Sequence, residues 1–193
     1  MSLPIGVLAL QGDFREHAVA LDRIGVSHLK VRTVQDLESV SGLIIPGGES
    51  TVMNKLSVAY GLFDPIKGKI KAGLPVFGTC AGLIMLADRI EDGIIGQETF
   101  GGLDVTVRRN TFGHQIVSFE VDLTVRGIED GAVHAAFIRA PLITDIGDAV
   151  SIIAQLPNGG VVGVQQGNLI GISFHPEVTG EYRVHRLFAN LTK

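Results

Sequence analysis

The sequence predicts an α/β fold, a mixed sheet with helices on both faces, and three observations carry that prediction. Apolar runs of strand length alternate with stretches of helical period through the first half, the pattern of βαβ units around a parallel sheet. The second half changes character: "VSFEVDLTV" at 117–125 alternates apolar and polar residues strictly, as a strand with one wet face does, and so predicts antiparallel or edge pairing. Two segments, "GLIIPGGEST" at 42–51 and "LPVFGTCAGLIMLA" at 74–87, pass from strand through a tight turn into helix.

Taken in order, "IGVLAL" (5–10) is the first buried strand. Phe14, Ala18, Leu21 and Ile24 follow at helical spacing, and Gly25 is placed to end that helix. "HLKVR" (28–32) is a second strand. The strand of 42–51 runs into a Pro-Gly-Gly turn, with Ser50 or Thr51 as the expected helix cap. Beyond the cysteine segment, "AVHAAFI" (132–138), "AVSIIAQL" (149–156), "GVVGVQQG" (160–167) and "NLIGISFHPE" (168–177) are further strand candidates, with a hairpin at "LPNGGVV". Val184, Leu187, Phe188 and Leu191 fall at i, i+3, i+4 and i+7 and predict a closing helix. No repeat, low-complexity tract or linker interrupts this order, and 193 residues suit a single domain spanning 1–193.

Composition narrows the function. The chain is 46% hydrophobic with a formal net charge of −4, which argues against disorder and against a broad basic face for nucleic acid. Its apolar runs are too short for a membrane span, and the opening "MSLPIGVLALQGD" has no basic leader. One cysteine cannot form an internal disulfide, so a reducing, cytoplasmic setting is expected.

That cysteine is the first residue with a claim on chemistry. A lone thiol is more often an inert core residue, but Gly78-Thr79-Cys80-Ala81-Gly82 has the form of a strand-to-helix elbow that holds a nucleophile clear of the sheet. The flanking glycines are expected to admit a strained turn and a close approach of substrate, and the helix amino terminus favours a thiolate. A base is expected in "SFHPE": if Pro176 keeps that stretch extended, His175 and Glu177 point to one side, and the carboxylate can hold the imidazole in the useful tautomer. His17, His28 and His185 stand in polar contexts that predict solvated surface residues, whereas His114 and His134 are less easily set aside. The Gly47-Gly48 pair of "IIPGGES" exposes N–H groups that can stabilise an oxyanion together with the Ala81 N–H, although the same turn also serves as an ordinary strand-to-helix connection or a phosphate cradle. Neither a metal-ligand cluster nor a Schiff-base lysine stands out, and no cofactor is expected.

"LALQGDFREH", "PGGEST", "GTCAGL", "RNTFG", "FIRAP" and "SFHPE" together resemble the glutaminase subunit of pyridoxal 5'-phosphate synthase, within the triad-type class I glutamine amidotransferases. The resemblance spans nearly the whole chain. It implies a flavodoxin-like three-layer sandwich with a mostly parallel sheet, Cys80 as nucleophile, His175 as base and acid, and Glu177 as its orienting carboxylate. Glutamine would then lie along Gly48, Glu49 and Ser50, with Arg109, Ile138 and Arg139 fixing its amino-acid end. Gly48, Ala81 and Gln11 would form the oxyanion hole, Gln11 only after its turn rearranges on docking of the partner. That partner is implied to be the synthase subunit, joined in a large hetero-oligomer and supplied with ammonia. The chain departs from the family pattern at His114, where arginine is familiar, and at Val178, where leucine is usual. Two other readings of the same residues are a glutaminase feeding another synthase, such as that for imidazole glycerol phosphate, and a DJ-1-like cysteine stress protein.

Overall fold

The structure, a computed structural model, describes residues 3–109 and 118–193. The chain runs β1 (Ile5–Leu8), α1 (Phe14–Arg23), β2 (His28–Val31), α2 (Val34–Glu38), β3 (Gly42–Ile45), α3 (Ser50–Ala59), α4 (Phe63–Lys71), β4 (Val76–Thr79), α5 (Ala81–Leu86), β5 (Ala87–Glu91) and β6 (Leu103–Arg108). It continues with β7 (Phe119–Leu123), β8 (Val133–Phe137), β9 (Leu142–Ile146), β10 (Ser151–Gln155), β11 (Val161–Gln166), β12 (Leu169–Ile172), α6 (Pro176–Thr179) and α7 (Arg183–Leu191).

The main sheet has the order β2-β1-β3-β4-β12-β11-β9-β6-β5, with β10 paired to β11. Pairing is parallel from β2 through β12, then antiparallel from β12 to β11, β9 and β6. The two halves of the sheet thus follow the change in pattern along the sequence. The alternating "FEVDL" segment pairs antiparallel with β8 in a separate two-stranded sheet, where Phe119 stacks on Phe137.

Strand periodicity sends successive side chains to opposite faces. Leu43, Ile45 and Val76 join one core with Met53, Phe63, Ile66 and Ile70 of α3 and α4, whereas Ile44 and Phe77 join the other with Leu21 of α1 and Val184 and Phe188 of α7. Three layers result, the β7–β8 pair sharing the second face through Leu123, Val133 and Phe137. No helix among the described residues is long and apolar enough to cross a membrane.

Two local expectations need correction. The cap of α3 is neither Ser50 nor Thr51 but Glu49, whose backbone is extended and whose carboxylate reaches forward to accept from the N–H groups of Thr51 and Val52. The "SFHPE" stretch does not stay extended: β12 stops at Ile172 and Pro176 begins the short helix α6, with His175 as its cap. Proline's fixed φ and missing N–H suit a first helical position as well as a strand end.

Candidate functional site

The four contiguous parallel strands β1, β3, β4 and β12 end on the same side of the sheet, and the segment leaving each carries a residue singled out in the sequence. Gln11 follows β1, Gly48 and Glu49 follow β3, Cys80 follows β4, and His175 follows β12. Open α/β sheets bind ligands beyond the carboxyl ends of their strands. A cleft of about 300 Å³ lies there, and Gly48, Glu49, Ser50, Cys80, Arg109, Ile138, Arg139 and His175 all line it.

Cys80 occupies the elbow with φ 50°, a conformation costly for a residue with a β-carbon. Its N–H donates to Ile172 O of β12 at 2.9 Å, which fixes the turn. The flanking glycines serve packing. A β-carbon on Gly78 would meet Gly82 O at 2.5 Å, and one on Gly82 would meet Ile45 O at 2.0 Å, so both are needed to seat α5 against β4 and β3. The strain of the expected turn is carried by Cys80 itself. Ala81, the first residue of α5, presents one of the helix N–H groups that lack an intrahelical acceptor.

His175 is buried, and its Nδ1 lies 2.7 Å from Glu177 Oε1. The expected pair therefore forms, although through a helix start rather than a strand. With Glu177 ionised, Nδ1 donates and Nε2 is the nitrogen left to serve the sulfur. Asp13 Oδ2 stands 3.6 Å from Nδ1 on the other side. Gly47 allows the ring in so closely that a β-carbon there would fall 2.5 Å from His175 Cε1. Burial disfavours the imidazolium, but contact with Cys80 and Glu177 outweighs it and pushes the His175 pKa up to about 10. Burial also raises the Glu177 pKa, against the opposing pull of His175.

Glu49 and Arg109 form the polar wall of the cleft. Arg109 Nη2 donates to Glu49 Oε1 at 3.0 Å, and Nη1 to Gln97 Oε1 at 2.8 Å. Gln97 Nε2 in turn donates to Ser50 Oγ at 3.0 Å. Burial works to raise the Glu49 pKa, but the Thr51 hydroxyl, the Thr51 and Val52 N–H groups and Arg109 together hold it below the ordinary range. Gln97 was not expected here; the segment around it has no recognisable pattern, and only the fold brings it to Arg109. Ile138 and Arg139 follow β8, with Arg139 at φ 49° and Ile138 O 4.0 Å from Cys80 Sγ.

Gln11 lies against Gly48, where a β-carbon would fall 2.5 Å from its Oε1. That oxygen accepts the Glu49 N–H at 3.1 Å, and Gln11 Nε2 is buried with no hydrogen-bond partner among the described residues.

The histidine expectations divide. His134 is exposed and hydrogen-bonded to Asp122 and Glu120 across the strand pair. His28 is half-buried beside Asp22. His114 lies outside the described residues. His17 and His185 are not solvated: both are fully buried. Polar neighbours in sequence suggested a surface, but α1 and α7 each turn these rings inward onto Phe77. Burial, with the neighbouring His185 and His175, holds His17 well below its usual pKa, and burial alone lowers His185 to about 3.

Those two depressed values predict an acid-sensitive fold. Below about pH 6.5 the unfolded chain binds two protons that the folded chain refuses, so folding stability falls as pH drops, with a limiting slope of about 2.7 kcal/mol per pH unit. The raised pKa values of His175, His134 and Glu177 oppose this, the two histidines chiefly above about pH 6, so the observed slope lies below that limit. Urea titrations between pH 6 and pH 5 should show the midpoint falling; a flat midpoint there would contradict the neutral, buried pair.

A strained cysteine elbow beside a histidine–glutamate pair, beyond the carboxyl ends of a mostly parallel sheet, is the arrangement of an α/β protein with a nucleophile and its base. The chain belongs to the SNO glutamine amidotransferase family, whose model matches residues 7–192. A relative from Clavibacter michiganensis subsp. michiganensis, "Pyridoxal 5'-phosphate synthase subunit PdxT", is 57% identical over 189 residues, covering 98% of this chain and 90% of that one. A Nocardioides relative of the same name is 55% identical over 191 residues, covering 97% and 94%. A solved structure described as a glutamine amidotransferase superposes with a TM-score of 0.91 at 46% identity, covering 97% of this chain and 98% of the other.

Proposed function

We propose that this chain is the single-domain glutaminase subunit of a pyridoxal 5'-phosphate synthase, releasing ammonia from L-glutamine for use by a synthase subunit in a hetero-oligomer. The observation that carries this reading is the convergence of Cys80, the His175–Glu177 pair and the six residues expected to hold glutamine on one cleft. Cys80 Sγ attacks the side-chain amide carbon, His175 gives its proton to the departing ammonia, and the resulting thioester is hydrolysed to glutamate as His175 takes a proton from water. Glu177 holds the imidazole through both steps. Arg109 and Arg139 supply cationic groups for the α-carboxylate of glutamine.

The Ala81 N–H and the Gly47–Gly48 turn are the oxyanion donors in this reading. Gln11 packs over Gly48 and occupies the Glu49 N–H, so the hole is incomplete until that side chain shifts. Docking of the synthase over the cleft supplies the shift and receives the ammonia before water protonates it.

Mixing the chain with a pyridoxal 5'-phosphate synthase subunit and following glutamate tests the reading: release should rise at least about tenfold over the free chain, the scale of one restored oxyanion contact being about 10²–10³. No activation by that subunit, or equal activation by an unrelated ammonia-dependent synthase, would overturn it. In the assembled enzyme kcat/KM should stay high through neutral pH and fall as His175 loses its proton near pH 10, since the imidazolium is the acid for ammonia departure.

A further inference from the structure

Helix α1 offers the site a second side chain one turn beyond Asp13. His17 Nε2 lies 3.0 Å from Thr79 Oγ1, the residue before Cys80, and 3.7 Å from Glu177 Oε1. Its Nδ1 lies 2.9 Å from His185 Nε2 of α7, and His17, Thr79 and His185 are all fully buried.

The partners decide the tautomers. His185 Nδ1 is buried with no hydrogen-bond partner among the described residues, so a proton there would be an orphaned donor; the proton belongs on Nε2 and is donated to His17 Nδ1. His17 must then carry its own proton on Nε2, where it donates to Thr79 Oγ1 and faces the Glu177 carboxylate. The opposite arrangement would turn a nitrogen lone pair toward a carboxylate oxygen. Glu177 Oε2 has no hydrogen-bond partner among the described residues either, so the orientation of this carboxylate rests on its Oε1 side.

We propose that His17 is a positioning residue of the glutaminase, its Nε2–H, fixed from behind by His185, holding Thr79 and Glu177 so that Glu177 keeps its hydrogen bond to His175. This rests on the proposed glutaminase reading. The charged and titratable groups facing His17 are His185 from α7, Glu177 from α6 and His175 at its cap, with Asp13, the cap of α1, beside His175. A neutral donor suits this role, because it directs the carboxylate without a second full positive charge competing with His175 for it.

Three variants separate positioning from packing, assayed in the complex with the synthase. His17→Gln places an amide N–H near the Nε2 position, His17→Asn reaches only the Nδ1 side, and His17→Leu fills the space without polar atoms. His17→Asn and His17→Leu should lose about 10–100-fold in kcat with KM for glutamine changed less than about threefold, and the alkaline limb of kcat/KM should move to lower pH as His175 loses its oriented partner. His17→Gln should recover most of the loss. Wild-type kcat and pH profile in His17→Asn, or His17→Gln as impaired as His17→Leu, would overturn the proposal. Nitrogen-15 NMR of the histidines in the wild-type chain tests it even if a variant fails to fold: His17 should be a neutral Nε2–H tautomer from pH 6 to pH 8, and an Nδ1–H tautomer or an imidazolium there would refute it. A wild-type complex that releases no glutamate would indict the glutaminase reading instead.

Discussion

Cys80→Ala should reduce glutamate release in the assembled enzyme to background, a loss on the order of 10⁴-fold or more, because the thiol at the elbow beside His175 is the group proposed to form the acyl intermediate. The substitution removes one sulfur from a side chain that is 7% exposed and leaves the elbow's backbone bonds intact, so the variant should fold and still bind the synthase. Glutamine should still bind, since Arg109, Arg139 and the Gly48–Ser50 turn are untouched. Mass spectrometry after incubation with an electrophilic glutamine analogue should show an adduct on the wild-type chain and none on the variant. Substantial residual turnover in Cys80→Ala would mean that this thiol is a packing residue and that the chemistry lies elsewhere.

The second large effect concerns the fold. Gly82→Val should prevent accumulation of soluble, folded chain, and even Gly82→Ala should cost on the order of 3 kcal/mol, the upper range for overpacking. The obstacle at 2.0 Å is the Ile45 carbonyl, a backbone atom of a central strand that cannot move aside as a side chain could. Gly73→Ala is the matched control, because nothing lies within 4 Å of its added carbon, although its φ of +93° gives it a strain cost of its own. Thermal melts comparing the two alanine variants should place Gly82→Ala well below Gly73→Ala; equal melting temperatures would show that α5 is not seated on β3 as described.

Much of this arrangement is legible in the residues because it rests on local rules. The strand of 5–10, the helix from Phe14, the 42–51 turn and the elbow are each encoded by periodicity and glycine within a short window, and the alternation at 119–123 announces the separate antiparallel pair. Strands β5, β6 and β9 are not among the strands the sequence predicts, although "LDVTV" at 103–107 carries a clean alternation in burial. Helix α4 is likewise absent from the predicted elements despite Phe63, Ile66 and Ile70 at helical spacing. The His175–Glu177 pair is expected on a strand and is realised at a helix start; spacing alone does not distinguish the two when proline intervenes. The inward turn of His17 and His185 lies beyond local reading, because 168 positions separate the two rings and only the packing of α1 and α7 on one sheet face brings them together.

Cys80 is tied by its amide to Ile172, on the neighbouring strand whose next few residues lead to His175. Sulfur and imidazole are therefore mounted on one stiff plank, while Gln11 and the Gly47–Gly48 turn hang from loops beside it. In the proposed reading a docking synthase reworks those loops, while the backbone bond from Cys80 to Ile172 keeps the two strands that carry the reactive pair in register.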